Sequence, residues 1–132
     1  MGEIYKRFYK NFDKLRTFKD WYKVCFPVSH FYFPKTIKTR LGPKFNIRHW
    51  TDLTIIREVI GRDTYGIKNL LLKNDAVVVD IGAHIGVFSA YIHTLFPTAK
   101  IYSYEPDIEN FDLLKINAPF ARLFNMGIAK TK

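Results

Sequence analysis

Only one cysteine, Cys25, stands in the 132 residues, so no internal disulfide can form and a reducing, cytoplasmic setting is the default expectation. No apolar run approaches the ~20 residues that a membrane-spanning helix needs. The N-terminus is too charged and aromatic for the apolar region of a signal peptide. Lys6 stands where a myristoylation motif requires Ser or Thr. His30, His49, His84 and His93 are scattered, without cysteine partners or H-E-x-x-H spacing, so no metal site is expected. A G-x-x-x-x-G-K-[ST] loop is missing, which excludes a P-loop nucleotidase. Internal repeats and low-complexity tracts are missing as well.

Acidic residues are scarce in one part of the chain. Residues 1–50 hold 12 Lys and Arg against 3 Asp and Glu, whereas residues 51–132 hold 9 of each. The whole excess of +9 therefore lies in the first 50 residues, together with 13 of the 22 aromatic side chains. This sets a basic, aromatic-rich arm (1–50) apart from a second region (51–132). Ile4, Tyr5, Phe8, Tyr9, Phe12 and Leu15 recur at i, i+3, i+4 spacing and predict an amphipathic helix. A second amphipathic piece is expected to include Phe18, Trp21, Tyr22 and Cys25, and residues 31–34 read as an extended connector. Three readings of the arm stand open. Its aromatics pack it onto the rest of the chain, or its basic face meets a membrane surface, or it binds nucleic acid. No RRM, KH or zinc-knuckle signature supports the last.

The most informative run is Val77-Val78-Val79-Asp80-Ile81-Gly82-Ala83-His84-Ile85-Gly86-Val87-Phe88. Three β-branched residues lead to an acid, a turn with two glycines and an apolar helix start, the order of a nucleotide-cradling strand–turn–helix unit. A pyrophosphate favours bare N–H groups at a helix N-terminus, and Asp80 would repel it. S-adenosyl-L-methionine carries an ammonium and a sulfonium, which a carboxylate favours. The third glycine of a G-x-G-x-x-G dinucleotide turn is also lacking. Lys100-Ile101-Tyr102-Ser103-Tyr104 reads as the next strand, closed by Glu105-Pro106, 25 positions after Asp80. An acid at that place is positioned to accept ribose hydroxyls.

On these residues the chain resembles the FkbM family of methyltransferases, whose motif runs D-I-G-A-N-x-G-x-[FY]-[ST] and then a strand ending in F-E-P. Here the matching residues are Asp80-Ile81-Gly82-Ala83-His84-Ile85-Gly86-Val87-Phe88-Ser89 and Tyr104-Glu105-Pro106. Asn110-Phe111-Asp112-Leu113-Leu114-Lys115 resembles the family's following helix, and Arg48-His49-Trp50-Thr51-Asp52-Leu53 its lead-in. His84 departs from the usual Asn, although an imidazole can still donate one hydrogen bond there. The resemblance implies a Rossmann-like class I methyltransferase core, a doubly wound and mostly parallel sheet, with S-adenosyl-L-methionine as cofactor. It implies O-methylation of a small-molecule or glycan hydroxyl: a sugar, a glycolipid or a polyketide. The implied cofactor-binding residues are Asp80, Gly82, Ala83, His84, Gly86, Glu105 and Pro106. Asn125 joins them because class I enzymes often place a polar contact to adenine after the third strand.

The spacing predicts three strands, at residues 76–81, 100–104 and about 122–126. Helices are expected over 51–60, 86–96 and 108–117. In the class I strand order these form the 3-2-1 half of a sheet that is incomplete at about three strands, so a non-catalytic methyltransferase remnant is the alternative reading. The first strand then lies at an edge that a partner chain would cover, and its valine run calls for cover on both faces.

Overall fold

The computed structural model describes residues 16–22 and 35–129. The helix expected over residues 4–15, Cys25 and the connector at 31–34 lie outside the described residues. The chain divides into two compact units, Met1–Thr64 and Tyr65–Lys132.

In the first unit, β1 (Thr36–Lys38) and β2 (Lys44–Asn46) form an antiparallel pair with Ile37 opposite Phe45. Both of these side chains are fully buried. Phe18 does not continue a helix, as the apolar spacing suggests. It lies in an isolated antiparallel bridge to Thr39 and is buried. Hydrogen bonds from Lys19 N–H to the Lys38 carbonyl and from Arg40 N–H to the Thr17 carbonyl flank this bridge, which interrupts the helical residues 16–17 and leads into a turn at 19–21. Pairing with β1 thus supplies its backbone with partners that a helix would otherwise provide. Helix α1 (Trp50–Ile56) begins where the Asp52 carboxylate reaches back to the N–H groups of Arg48 and His49, at 2.7 and 3.0 Å. It runs on as a π turn (Arg57–Gly61) in which Arg62 N–H reaches the Arg57 carbonyl. Leu53, Ile56, Val59 and Ile60 are all buried.

The second unit is α/β: β3 (Val77–Ile81), α2 (Val87–Leu95), β4 (Lys100–Tyr104), α3 (Ile108–Asn117) and β5 (Arg122–Phe124). The three strands are parallel, in the order β3-β4-β5. Two successive right-handed crossovers that progress in one direction place both helices on one face of a sheet. The contacts agree. Ser89 of α2 meets Asp80 and Ser103, and Leu114 of α3 shares a buried cluster with Ala83 and Ala118, against which Leu123 packs. Within the second unit no described element therefore covers the other face of the valine run. Val77, Val79 and Ile81 are 64, 52 and 64 % exposed on the other face. Beside them Tyr104, Phe124 and Tyr102 stack with nearly parallel rings.

Gly86 sets how closely the helices approach. Its φ is +87°, and a Cβ there would lie 2.8 Å from Leu114 Cδ1 and 3.2 Å from Ala118 Cβ. Gly82 also has positive φ, but nothing lies within 4 Å of its would-be Cβ. Gly82→Ala then carries only the left-handed strain, roughly 1 kcal/mol. Gly86→Ala adds overpacking and costs roughly 2–4 kcal/mol. Urea denaturation of the two variants checks the difference.

Candidate functional site

The sequence-predicted residues gather at the C-terminal ends of the parallel strands, where open α/β sheets bind ligands. Between β3 and α2 the chain turns through three left-handed residues: Gly82 (φ +76°), His84 (φ +52°) and Gly86 (φ +87°). His84 occupies a region where a side chain is uncommon, and histidine is among the residues that tolerate it. Gly82 and Ala83 both donate to the Tyr104 carbonyl, at 2.9 and 3.0 Å. His84 N–H donates to Glu105 Oε2 at 2.7 Å, and Gly86 N–H to the Ala83 carbonyl at 2.8 Å. The N–H groups of these four residues are thus consumed inside the protein, and they form no nest for a phosphate.

Glu105 follows β4 and is buried. Besides His84 N–H, its carboxylate accepts Asp107 N–H at 3.0 Å and, at 3.5 Å, the Asn110 side-chain amide. A carboxylate has about four acceptor positions, so Glu105 retains capacity for a further donor. Asn125, just past β5, donates to the carbonyls of Glu105 and Pro106 at 2.9 and 3.2 Å. Pro106 itself is exposed, as is Asn125. Asp107, next along the chain, caps α3 by accepting Asn110 N–H at 2.9 Å.

Asp80 turns toward α2 and is buried. Its Oδ2 accepts the Ser89 hydroxyl at 2.6 Å, and the Ser89 and Ser103 hydroxyls are 2.8 Å apart. With its one proton committed to Asp80, Ser89 Oγ accepts a hydrogen bond from the Ser103 hydroxyl. Ser89 lies in the first turn of α2, so the carboxylate also sits at the positive end of that helix. Burial is the main influence on Asp80 and pushes its carboxyl above the ordinary 3.8. Hydrogen bonding from Ser89 opposes this, and the charge of Glu105 adds a smaller upward push.

Sequence reasoning missed Asn117. This buried residue at the end of α3 donates its side-chain amide to the Ile85 carbonyl at 2.8 Å, anchoring the turn from 32 residues away. Its position in the last turn of a helix offered no local signal. Tyr65 is 65 % exposed and meets Phe88 edge to face, while His93 stacks on Phe120 at 3.9 Å. His93 is thereby a packing residue. Among the described residues no group of three or more His, Cys, Asp or Glu is placed to hold a metal, and no helix is long and apolar enough to cross a membrane. A hollow of about 470 Å³ lies at the start of β4 and β5, lined by Lys100, Tyr102, Phe120 and Arg122 among others. It is at the opposite strand ends from the turn, so it does not belong to this site.

No protein-family model matches the chain. Over 63 residues it is 38 % identical to the methyltransferase sdnD of Sordaria araneosa, covering 48 % of this chain and 24 % of that protein. Over 79 residues it is 33 % identical to the AMB antimetabolite synthetase AmbE of Pseudomonas aeruginosa, covering 57 % of this chain and 4 % of that protein. The chain thus spans a quarter or less of the length of these relatives, and its likeness to a methyltransferase is partial.

Two expectations follow from the geometry. Since Asp80 binds its proton more tightly folded than unfolded, its contribution to stability is full below pH 3.8 and declines as pH rises through the folded value. Asp80→Asn removes this decline, so urea-derived stability against pH should differ in slope between the two proteins above that point. Asn117→Ala leaves the buried Ile85 carbonyl without this donor and should cost about 1–3 kcal/mol. Asn117→Asp, which turns an acceptor toward that carbonyl, should cost no less by the same denaturation measurement.

Proposed function

We propose that the second unit carries the cofactor-binding part of an S-adenosyl-L-methionine-dependent methyltransferase of FkbM type, with a class I, Rossmann-like core. The observation that carries this reading is the chemistry of the turn. The N–H groups of Gly82, Ala83, His84 and Gly86 already have protein acceptors, while two carboxylates, Asp80 and Glu105, stand beside it. That donor set suits a cationic ligand without phosphates and disfavours a dinucleotide. The open space at Gly82 gives a ligand room to approach the backbone. The partial identity to sdnD supports the same reading.

In this proposal Glu105 uses its spare acceptor capacity for the ribose hydroxyls, held in place by His84 and Asp107. Asp80 supplies negative potential toward the cationic end through the strand terminus, while Ser89 and Ser103 fix its rotamer. Asn125 and Pro106 border the adenine side, and Asn125 stabilises the strand ends there. When bound, the cofactor supplies a sulfonium methyl group open to in-line attack by an acceptor hydroxyl. The acceptor is a sugar, glycolipid or polyketide hydroxyl, aligned with the donor and assisted by a base.

Calorimetric titration with S-adenosylhomocysteine tests the cofactor reading. Saturable heat is expected from the wild-type chain, with none from NAD. Glu105→Gln, checked for folding by circular dichroism, should bind about ten- to a hundredfold more weakly through loss of a charge-assisted hydrogen bond. A folded wild-type chain that gives no heat with S-adenosylhomocysteine overturns the assignment.

A further inference from the structure

The first unit sets two lysines opposite each other, with a third hydrogen-bonded beside them through its backbone. The ladder of β1 and β2 fixes the pair. Ile47 N–H donates to the Lys35 carbonyl and Thr39 N–H to the Pro43 carbonyl. In the observed register the hydrogen-bonded pairs are therefore 35/47, 37/45 and 39/43. Lys38 opposite Lys44 falls between them, in a non-hydrogen-bonded pair, where facing side chains come closest. On the other side of β1, Lys19 donates its N–H to Lys38 at 2.8 Å, next to the Phe18–Thr39 bridge. Ile37, Thr39 and Phe45 are buried, so Lys38 and Lys44 share the outer face; Lys19, in the turn after the bridge, is exposed as they are.

Like charges directly opposite one another destabilise a strand pair. Around the Lys38–Lys44 pair, residues 35–50 contain five Lys and Arg and no acid. Asp20, beside Lys19, is half-buried. Arg40 is exposed at the start of the connecting turn, and Leu41 follows it, 42 % exposed. The turn thus presents an apolar side chain within a collar of cations.

We propose that this hairpin face is a docking surface for an anionic lipid bilayer. Headgroup phosphates bridge Lys19, Lys38 and Lys44, and Leu41 enters the headgroup region. An exposed aliphatic tip between cations suits a bilayer interface. A single-stranded nucleic acid would need aromatic rings on which to stack; the outward strand residues Thr36, Lys38, Lys44 and Asn46 supply none, and the exposed rings of this unit, Tyr22 and Trp50, stand outside the strand pair. The proposal is independent of the methyltransferase reading.

Co-sedimentation of the full chain with phosphatidylcholine vesicles, with and without phosphatidylserine, is the test, with a single-stranded oligonucleotide as a separate ligand. Binding is expected only with phosphatidylserine, and it should fall as salt rises, since the screening length shrinks to about 3 Å at 1 M. The K19Q/K38Q/K44Q variant should partition on the order of a hundredfold more weakly, roughly fivefold per lysine. K19R/K38R/K44R should keep binding, and Leu41→Ser should weaken it while leaving its salt dependence in place. Circular dichroism verifies that each variant folds. If the glutamine variant does not, the wild-type salt series and Leu41→Ser decide. The proposal is overturned by no binding to phosphatidylserine vesicles, by salt-insensitive binding, by undiminished binding of the folded glutamine variant, by wild-type strength in Leu41→Ser, or by capture of the oligonucleotide instead of vesicles.

Discussion

A carboxylate taken out of water must find donors, and Glu105 finds them on two different segments. One oxygen holds the N–H of His84 in the turn after β3, and the other holds the N–H of Asp107 at the cap of α3. The adjacent Tyr104 carbonyl takes two more N–H groups from the same turn. The loop that starts α2 is thereby hung from the end of β4. The Glu105 N–H donates to the Phe124 carbonyl, and the Glu105 carbonyl accepts from the Asn125 side chain, which brings in the end of β5. A buried charge left without such donors would be costly, so the carboxylate favours one arrangement of all three strand ends. Helix α2, whose N-cap is Gly86, begins within that arrangement.

Much of this architecture was legible in the chain. Val77–Ile81 and Lys100–Tyr104 carry β-branched or alternating patterns, and α3 keeps the predicted bounds of residues 108–117. The parallel order was what the family resemblance implied. Sidedness was not legible. A valine run looks the same whether one face or both are covered, and only the direction of successive crossovers decides. Nor could the pattern tell what Asp80 touches, because Ser89 and Ser103 meet it through tertiary packing. By sequence alone Asp107 reads equally as a polar residue after the strand and as a first-turn acid. Its bond to Asn110 N–H makes it a cap.

The first unit shows the converse. Composition exposed the charge excess at once, but composition has no geometry. Phe18 sits among apolar residues at helical intervals, yet its neighbours' hydrogen bonds run to β1. Short segments obey local spacing weakly when an adjacent strand offers partners for their backbone, and only the ladder reveals which lysines face one another.

The single-sided sheet also has a calorimetric meaning. Val77, Val79 and Ile81 remain largely hydrated in the folded chain, so unfolding exposes less new apolar surface there than in a sheet covered twice. Each Å² of apolar surface newly wetted adds about 0.45 cal/K/mol to the heat capacity of unfolding. The second unit should therefore have a smaller heat-capacity increment than its valine content suggests, and a broader, flatter dependence of stability on temperature.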